Sequence, residues 1–169
     1  MDEIDLLTEA FDRLPDLVSG AVDGLTPEQL QWAPSAGANT IGWLVWHLAR
    51  IQDDHIAELL GEPQAWTSDS WAARFGLRPG TTETGYAHTA EQVAALRPEG
   101  PGTLTAYYTA VAHGTRKLLG RTKPGDLDRV IDDKWDPPVT LGIRLISVLS
   151  DDLQHVGQAA YIRGLLPSD

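Results

Sequence analysis

The sequence predicts an all-α protein: a four-helix bundle with two long crossover connections and a few short extra helices. Three observations carry that reading. Four segments of helical length place apolar side chains three and four residues apart. Glycine and proline stand where those segments begin and end. No run alternates apolar and polar residues for long enough to demand a sheet. The length, 169 residues, suits one domain over 1–169 and a core that needs no disulfide; there is no cysteine to form one.

The first helix is predicted over 3–20, with Ile4, Leu7, Phe11, Leu14, Leu17 and Val18 on its apolar side and Pro15 as an internal kink. Thr26-Pro27-Glu28-Gln29 has the form of a short helical start: a capping threonine, proline in the first position, then an acid and an amide. A long helix should begin at Asn39 or Thr40 and stop at Gly61. Its Trp43, Leu44, His47, Leu48, Ile51, His55 and Leu59 share one broad face, which Asp53 and Asp54 interrupt late. Residues 62–102 are rich in Gly, Pro, Thr and Ser and should hold short helical pieces at WAARFG and HTAEQVAALR; a structureless stretch of that length would be unusual in a compact domain. A third long helix follows Gly100-Pro101-Gly102-Thr103 and ends at Gly120. After a second crossover, in which Pro137-Pro138 forbids helix, the last helix covers about Leu141–Leu165.

Charge excludes some functions. The chain has 24 acidic and 13 basic residues, a formal net charge of −11. A field of that sign repels nucleic-acid phosphates and anionic lipid. The densest basic group, Arg116, Lys117, Arg121 and Lys123, falls where a helix C-terminus favours cations, so no nucleic-acid partner is expected. No apolar run is long enough to span a membrane, and the acidic start MDEIDLLTEAFDRL is unlike a signal peptide. The expected location is cytoplasmic.

Chemistry is sought among the histidines. His47 lies mid-helix on an apolar face, and His155 lies mid-helix on the last helix. Asp151 is one helical turn before His155, so both side chains leave the same face and can share one metal ion. Bundle interiors build metal sites from inward-facing ligands on facing helices. The alternatives are a hydrogen-bonded core histidine and, for Asp151-Asp152, a solvated acidic face on which Asp152 is the solvated member. Two imidazoles and one carboxylate leave coordination positions open, as in catalytic rather than structural zinc sites. Zinc or nickel suits the set best, and iron or manganese is compatible with it.

The segments NTIGWLVWHLARIQDDH and SDDLQHVGQAAYIRG, together with Trp32-Ala33-Pro34, resemble the signature helices of the DinB/YfiT-like superfamily, in the branch related to mycothiol-dependent maleylpyruvate isomerase. The family histidine of the W-x-x-x-H-L segment corresponds to His47. Its last-helix His-x-x-x-His, or Glu-x-x-x-His, corresponds to Asp151 and His155, with the shorter aspartate in first place. The resemblance implies a four-helix bundle, a homodimer, a divalent metal near one end, and a low-molecular-weight thiol as cosubstrate of an S-transferase or isomerase acting on a small molecule. The alternative is a non-catalytic metal-binding or stress-associated helical dimer.

Around that set, Gln158 is one turn beyond His155 and could orient it. Trp43, Trp46 and Trp135 could wall a pocket, Trp135 because it directly precedes the last helix, although plain core packing with one exposed ring is the simpler reading of the six tryptophans. His55 would line the margin of the same helix face. Asp54, two turns on from His47, is the only acid that suggests itself as a general base. His88 and His113 have no partner at ligand spacing, and Tyr107 and Tyr108 should supply at most one inward phenol.

Overall fold

The computed structural model describes residues 1–68 and 70–167. The first helical segment is two helices, α1 (Glu3–Asp12) and α2 (Leu14–Val22), rather than one kinked rod. Pro15 has no N–H to offer the carbonyl a turn earlier, so the ladder breaks there and resumes with Leu17 N–H donating to Arg13 O at 3.2 Å. Asp2 and Asp5 form a reciprocal cap at the start of α1. Thr26 and Gln29 do the same for α3 (Pro27–Leu30).

Helix α4 (Ile41–Leu60) starts on the Thr40 hydroxyl, which accepts from Trp43 N–H, and stops at Gly61 in the left-handed conformation that an L side chain resists. Every residue from Ile41 to Arg50 is buried, so this half of α4 is enclosed all round rather than along one face. The crossover that follows carries α5 (Ala65–Ser68), α6 (Trp71–Arg74) and α7 (Ala90–Ala95). Helix α8 (Pro101–Leu119) is next, and α9 (Leu141–Gly164) is the last.

Helices α2, α8, α4 and α9 pack in that cyclic order, each against the next, with α4 on α9 the most extensive pair. One continuous apolar cluster fills the space between them, including Leu14, Leu30, Trp46, Phe75, Leu104 and Leu145. Arg116 pairs with Asp12, while Lys117 and Arg121 pair with Glu62, so three of the four clustered cations tie α8 to its neighbours.

The second crossover departs from the expectation of no sheet. Val130–Asp132 (β1) and Val139–Thr140 (β2) form a two-stranded antiparallel ribbon, too short to show as an alternating pattern. The ribbon and the turn before it cover the N-terminus of α9. Leu141 N–H donates to Arg129 O, and Gly142 N–H to Leu127 O, both at 2.9 Å, which satisfies first-turn donors that a helix cannot satisfy itself. Among the described residues no helix is long and apolar enough to cross a membrane.

Candidate metal centre

The packing of α4 on α9 brings His47 together with Asp151 and His155, which lie more than a hundred residues further along the chain. One ligand-capable atom from each of His47, Asp151 and His155 lies within 4.8 Å of the other two. His155 Nε2 is 3.4 Å from Asp151 Oδ1. The rings of His47 and His155 meet edge to face, with centroids 4.8 Å apart. Trp43 stacks flat on His47 at 4.7 Å and presents an edge to His155 at 6.5 Å.

Hydrogen bonds fix which ring nitrogen is free. His47 Nδ1 is 2.6 Å from Thr84 O. A carbonyl can only accept, so the proton is on Nδ1 and the Nε2 lone pair is exposed to the other two ligands. His155 Nδ1 donates to Gln158 Oε1 at 2.9 Å, which again leaves Nε2 facing Asp151. Gln158 thus stands where orientation of His155 requires it.

The titrations differ between the two rings. His47 is 6% exposed, and burial lowers its pKa; the bond to Thr84 and the charge of Asp151 oppose that shift only partly. His155 moves the other way, raised chiefly by its hydrogen bond with Asp151. Asp151 Oδ2 is buried without a partner. Two imidazoles and a carboxylate thus converge, with His155 favoured in its protonated form beside Asp151.

The remaining expected residues fall in three places. Trp46 is fully buried beside Trp43, with centroids 6.5 Å apart. His55 Nδ1 accepts from Arg144 Nη1 at 3.0 Å, and burial, then Arg144, lowers its pKa. Asp54 accepts from Gln64 Nε2. Trp135 does not stand where a pocket wall was expected. It lies between the two strands of the ribbon, 67% exposed, and is not among the rings that touch His47 or His155.

Two expectations need correction. Asp152 is not the solvated acid: it is 0% exposed, neither carboxylate oxygen has a partner, and burial followed by the neighbouring Asp151 raises its pKa well above the ordinary value. Tyr107 and Tyr108 are both inward, at 0% and 1% exposed, where one phenol was expected. His88, expected to be structural or at the surface, is structural: its Nδ1 accepts from Trp43 Nε1–H at 3.1 Å, its ring stacks on Trp46, and its Nε2 faces Glu83 at 3.3 Å.

His88 belongs to a segment that sequence reasoning missed. Residues 81–88 lie across α4 as a strap, held by their carbonyls. Trp66 Nε1 donates to Thr81 O at 2.6 Å, Arg50 Nη2 to Thr82 O at 3.0 Å, Arg50 Nε to Glu83 O at 3.2 Å, and His47 Nδ1 to Thr84 O. Gly85 comes next, at φ +96°, and a β-carbon there would sit 2.8 Å from His47 Nδ1. The available signal was Arg50 itself, the charge that directly follows the largely apolar run IGWLVWHLA and stands three residues before Asp53.

A cavity of about 310 Å³ is lined by Gln158 together with Ala38, Asn39, Leu44, Tyr161 and Ile162; it reaches the His155 partner but none of the three converging residues themselves. A larger one, about 400 Å³, lies between α5–α6 and the start of the strap, and none of the three converging residues lines it.

A solved structure described as a conserved protein from Enterococcus faecalis superposes with a TM-score of 0.88 at 32% identity, covering 98% of this chain and 97% of that one. No curated protein matches. The family model described as mycothiol-S-transferase matches residues 6–167, nearly the whole of the bundle. The chain therefore belongs to the mycothiol-S-transferase family, a DinB-like family of helical bundles.

Proposed function

We propose that the chain is a divalent-metal-dependent enzyme that joins a low-molecular-weight thiol, mycothiol by the family's name, to a small electrophilic molecule, or isomerises a substrate with that thiol's help. His47, Asp151 and His155 hold the metal. The observation that carries the reading is the convergence of His47 Nε2, His155 Nε2 and an Asp151 oxygen with both Nδ1 atoms already committed elsewhere.

The residues fit such a cation. Tetrahedral zinc with bonds of about 2.0–2.1 Å separates its ligand atoms by about 3.4 Å. The Asp151–His155 pair is already at that spacing. The unpartnered Asp151 Oδ2 and the excess of lone pairs call for positive charge. Zinc or nickel suits two imidazoles and a carboxylate, and iron or manganese is compatible. When bound, the cation supplies the charge that lowers the pKa of a thiol at an open position. The protein's own part is to aim the ligands through Thr84 and Gln158, and to keep water from one side of the site with Trp43. A small molecule would enter beside Gln158.

A cytoplasmic homodimer completes the proposal. Ile143, Ile146 and Leu153 are exposed at helical spacing along α9, with Tyr161 beyond them, and this stripe would face a second copy. The test is to incubate zinc- or nickel-loaded protein with mycothiol and a bimane electrophile and to follow thioether formation. Catalysis lost in His155→Ala supports the reading; equal rates with and without protein overturn it.

The alternative is a non-catalytic metal-binding dimer. It is favoured by one observation: Asp54, the acid that sequence suggested as a base, is engaged by Gln64. Stoichiometric metal without turnover is its signature.

A further inference from the structure

Arg50 is 0% exposed, and each face of its guanidinium is used. Its Nε and Nη2 hold the carbonyls of Glu83 and Thr82. Its Nη1 faces Asp53 Oδ2 at 3.4 Å and Tyr107 Oη at 3.2 Å, and its carbon lies over the Trp66 ring at 5.0 Å. Asp53 in turn accepts from Tyr107 Oη–H and from the N–H groups of Ala65 and Trp66. The clamp therefore joins α4, α5 and α8 to the strap, and the next carbonyl along the strap, Thr84 O, is the one that holds His47 Nδ1.

We infer that Arg50 is a positioning residue for His47: by fixing Thr82 and Glu83 it places the Thr84 carbonyl so that His47 keeps its proton on Nδ1 and presents Nε2 to Asp151 and His155. Only arginine has a fork that can hold two consecutive carbonyls while still paired to an acid. Lysine would keep the charge beside Asp53 and lose the fork. Gly85 closes the strap onto the same ring, since any side chain there meets His47, Trp46 and Trp43 within about 3 Å. Partners that set the tautomer of a metal-bound histidine typically change metal affinity by about 10- to 100-fold when removed.

The inference rests on the metal reading for its consequence but not for its geometry, so two readouts are needed. The first is the two-bond nitrogen–proton spectrum of the histidine rings in metal-free protein, which reports the tautomer of His47. The second is zinc affinity by chelator competition. Arg50→Lys should turn His47 from the Nδ1–H form to a mixture and weaken zinc about 10- to 100-fold. Gly85→Ala should do the same by pressing on the ring directly, a positive control that leaves the clamp intact, and Arg50→Gln, which also loses the two-carbonyl fork, decides the matter if Arg50→Lys does not fold. Tyr107→Phe, which spares both strap bonds, should leave the tautomer unchanged. An unchanged His47 tautomer in folded Arg50→Lys or Arg50→Gln overturns the inference. If wild-type protein binds no zinc, the metal reading falls, and the tautomer shift alone decides the role of Arg50.

Discussion

Asp53 and Asp152 are both carboxylates inside the bundle, 5% and 0% exposed, yet their surroundings are opposite. Asp53 is paired with Arg50 and receives bonds from Tyr107 and two backbone N–H groups. Asp152 has no partner for either oxygen. Full pairing makes an acid a structural joint: Asp53 connects three helices and a strap. Lack of pairing favours the protonated acid, because burial penalises the charged form. Asp151, next to Asp152 but partly exposed and facing His155, is left as the carboxylate available for a cation. Adjacent acids are thus separated by which way the helix turns them.

The comparison can be broken most severely at the paired acid. Asp53→Ala should destabilise the fold by about 3–5 kcal/mol in urea unfolding, because it strands a buried guanidinium. A loss below about 1 kcal/mol would show that the clamp is not the joint described. Next in size is the response to metal. Zinc at a hundred times its dissociation constant should stabilise the protein by about 2.7 kcal/mol, seen as a raised melting temperature, and His155→Ala should abolish the rise.

The unpaired acid should give a smaller effect with a distinctive pH signature. Its folded-state pKa is raised, so its contribution to stability is fully present below the ordinary 3.8 of the unfolded chain and is lost as pH rises through the folded value. Asp152→Asn should therefore remove this loss, making the protein more stable than wild type at neutral pH and flattening this part of the pH profile. An unaltered profile of unfolding free energy against pH would contradict the protonated assignment. Smallest of all, Trp135→Ala should stay within about 0.5 kcal/mol of wild type and leave zinc affinity unchanged.

The same contrast explains what was legible in the sequence. The long helices were legible because periodicity and stop signals are local: Thr40 and Gly61 bound α4 within a residue of the expectation. The break at Pro15 was visible as an irregularity, but whether it bends or ends a helix depends on packing. His47, Asp151 and His155 could be grouped from helical spacing and resemblance, since each side of the centre lies on one helix. Asp152 was misread because spacing separates it from Asp151 without saying which of the two meets the core. The strap was missed for a deeper reason. Its bonds are made by backbone carbonyls of residues 81–84, which leave no mark in side-chain identity; Arg50 and Gly85 were signs of it in the sequence.

The central claim is that His47, Asp151 and His155 converge to hold one divalent cation through two Nε2 atoms and a carboxylate. Calorimetric titration of metal-free protein with zinc, repeated in buffers of different protonation enthalpy, tests it most directly. One zinc ion per chain is expected, with proton release near neutral pH because the proton that Asp151 holds on His155 must leave. Absence of stoichiometric binding, or binding of equal strength in His155→Ala, would contradict it.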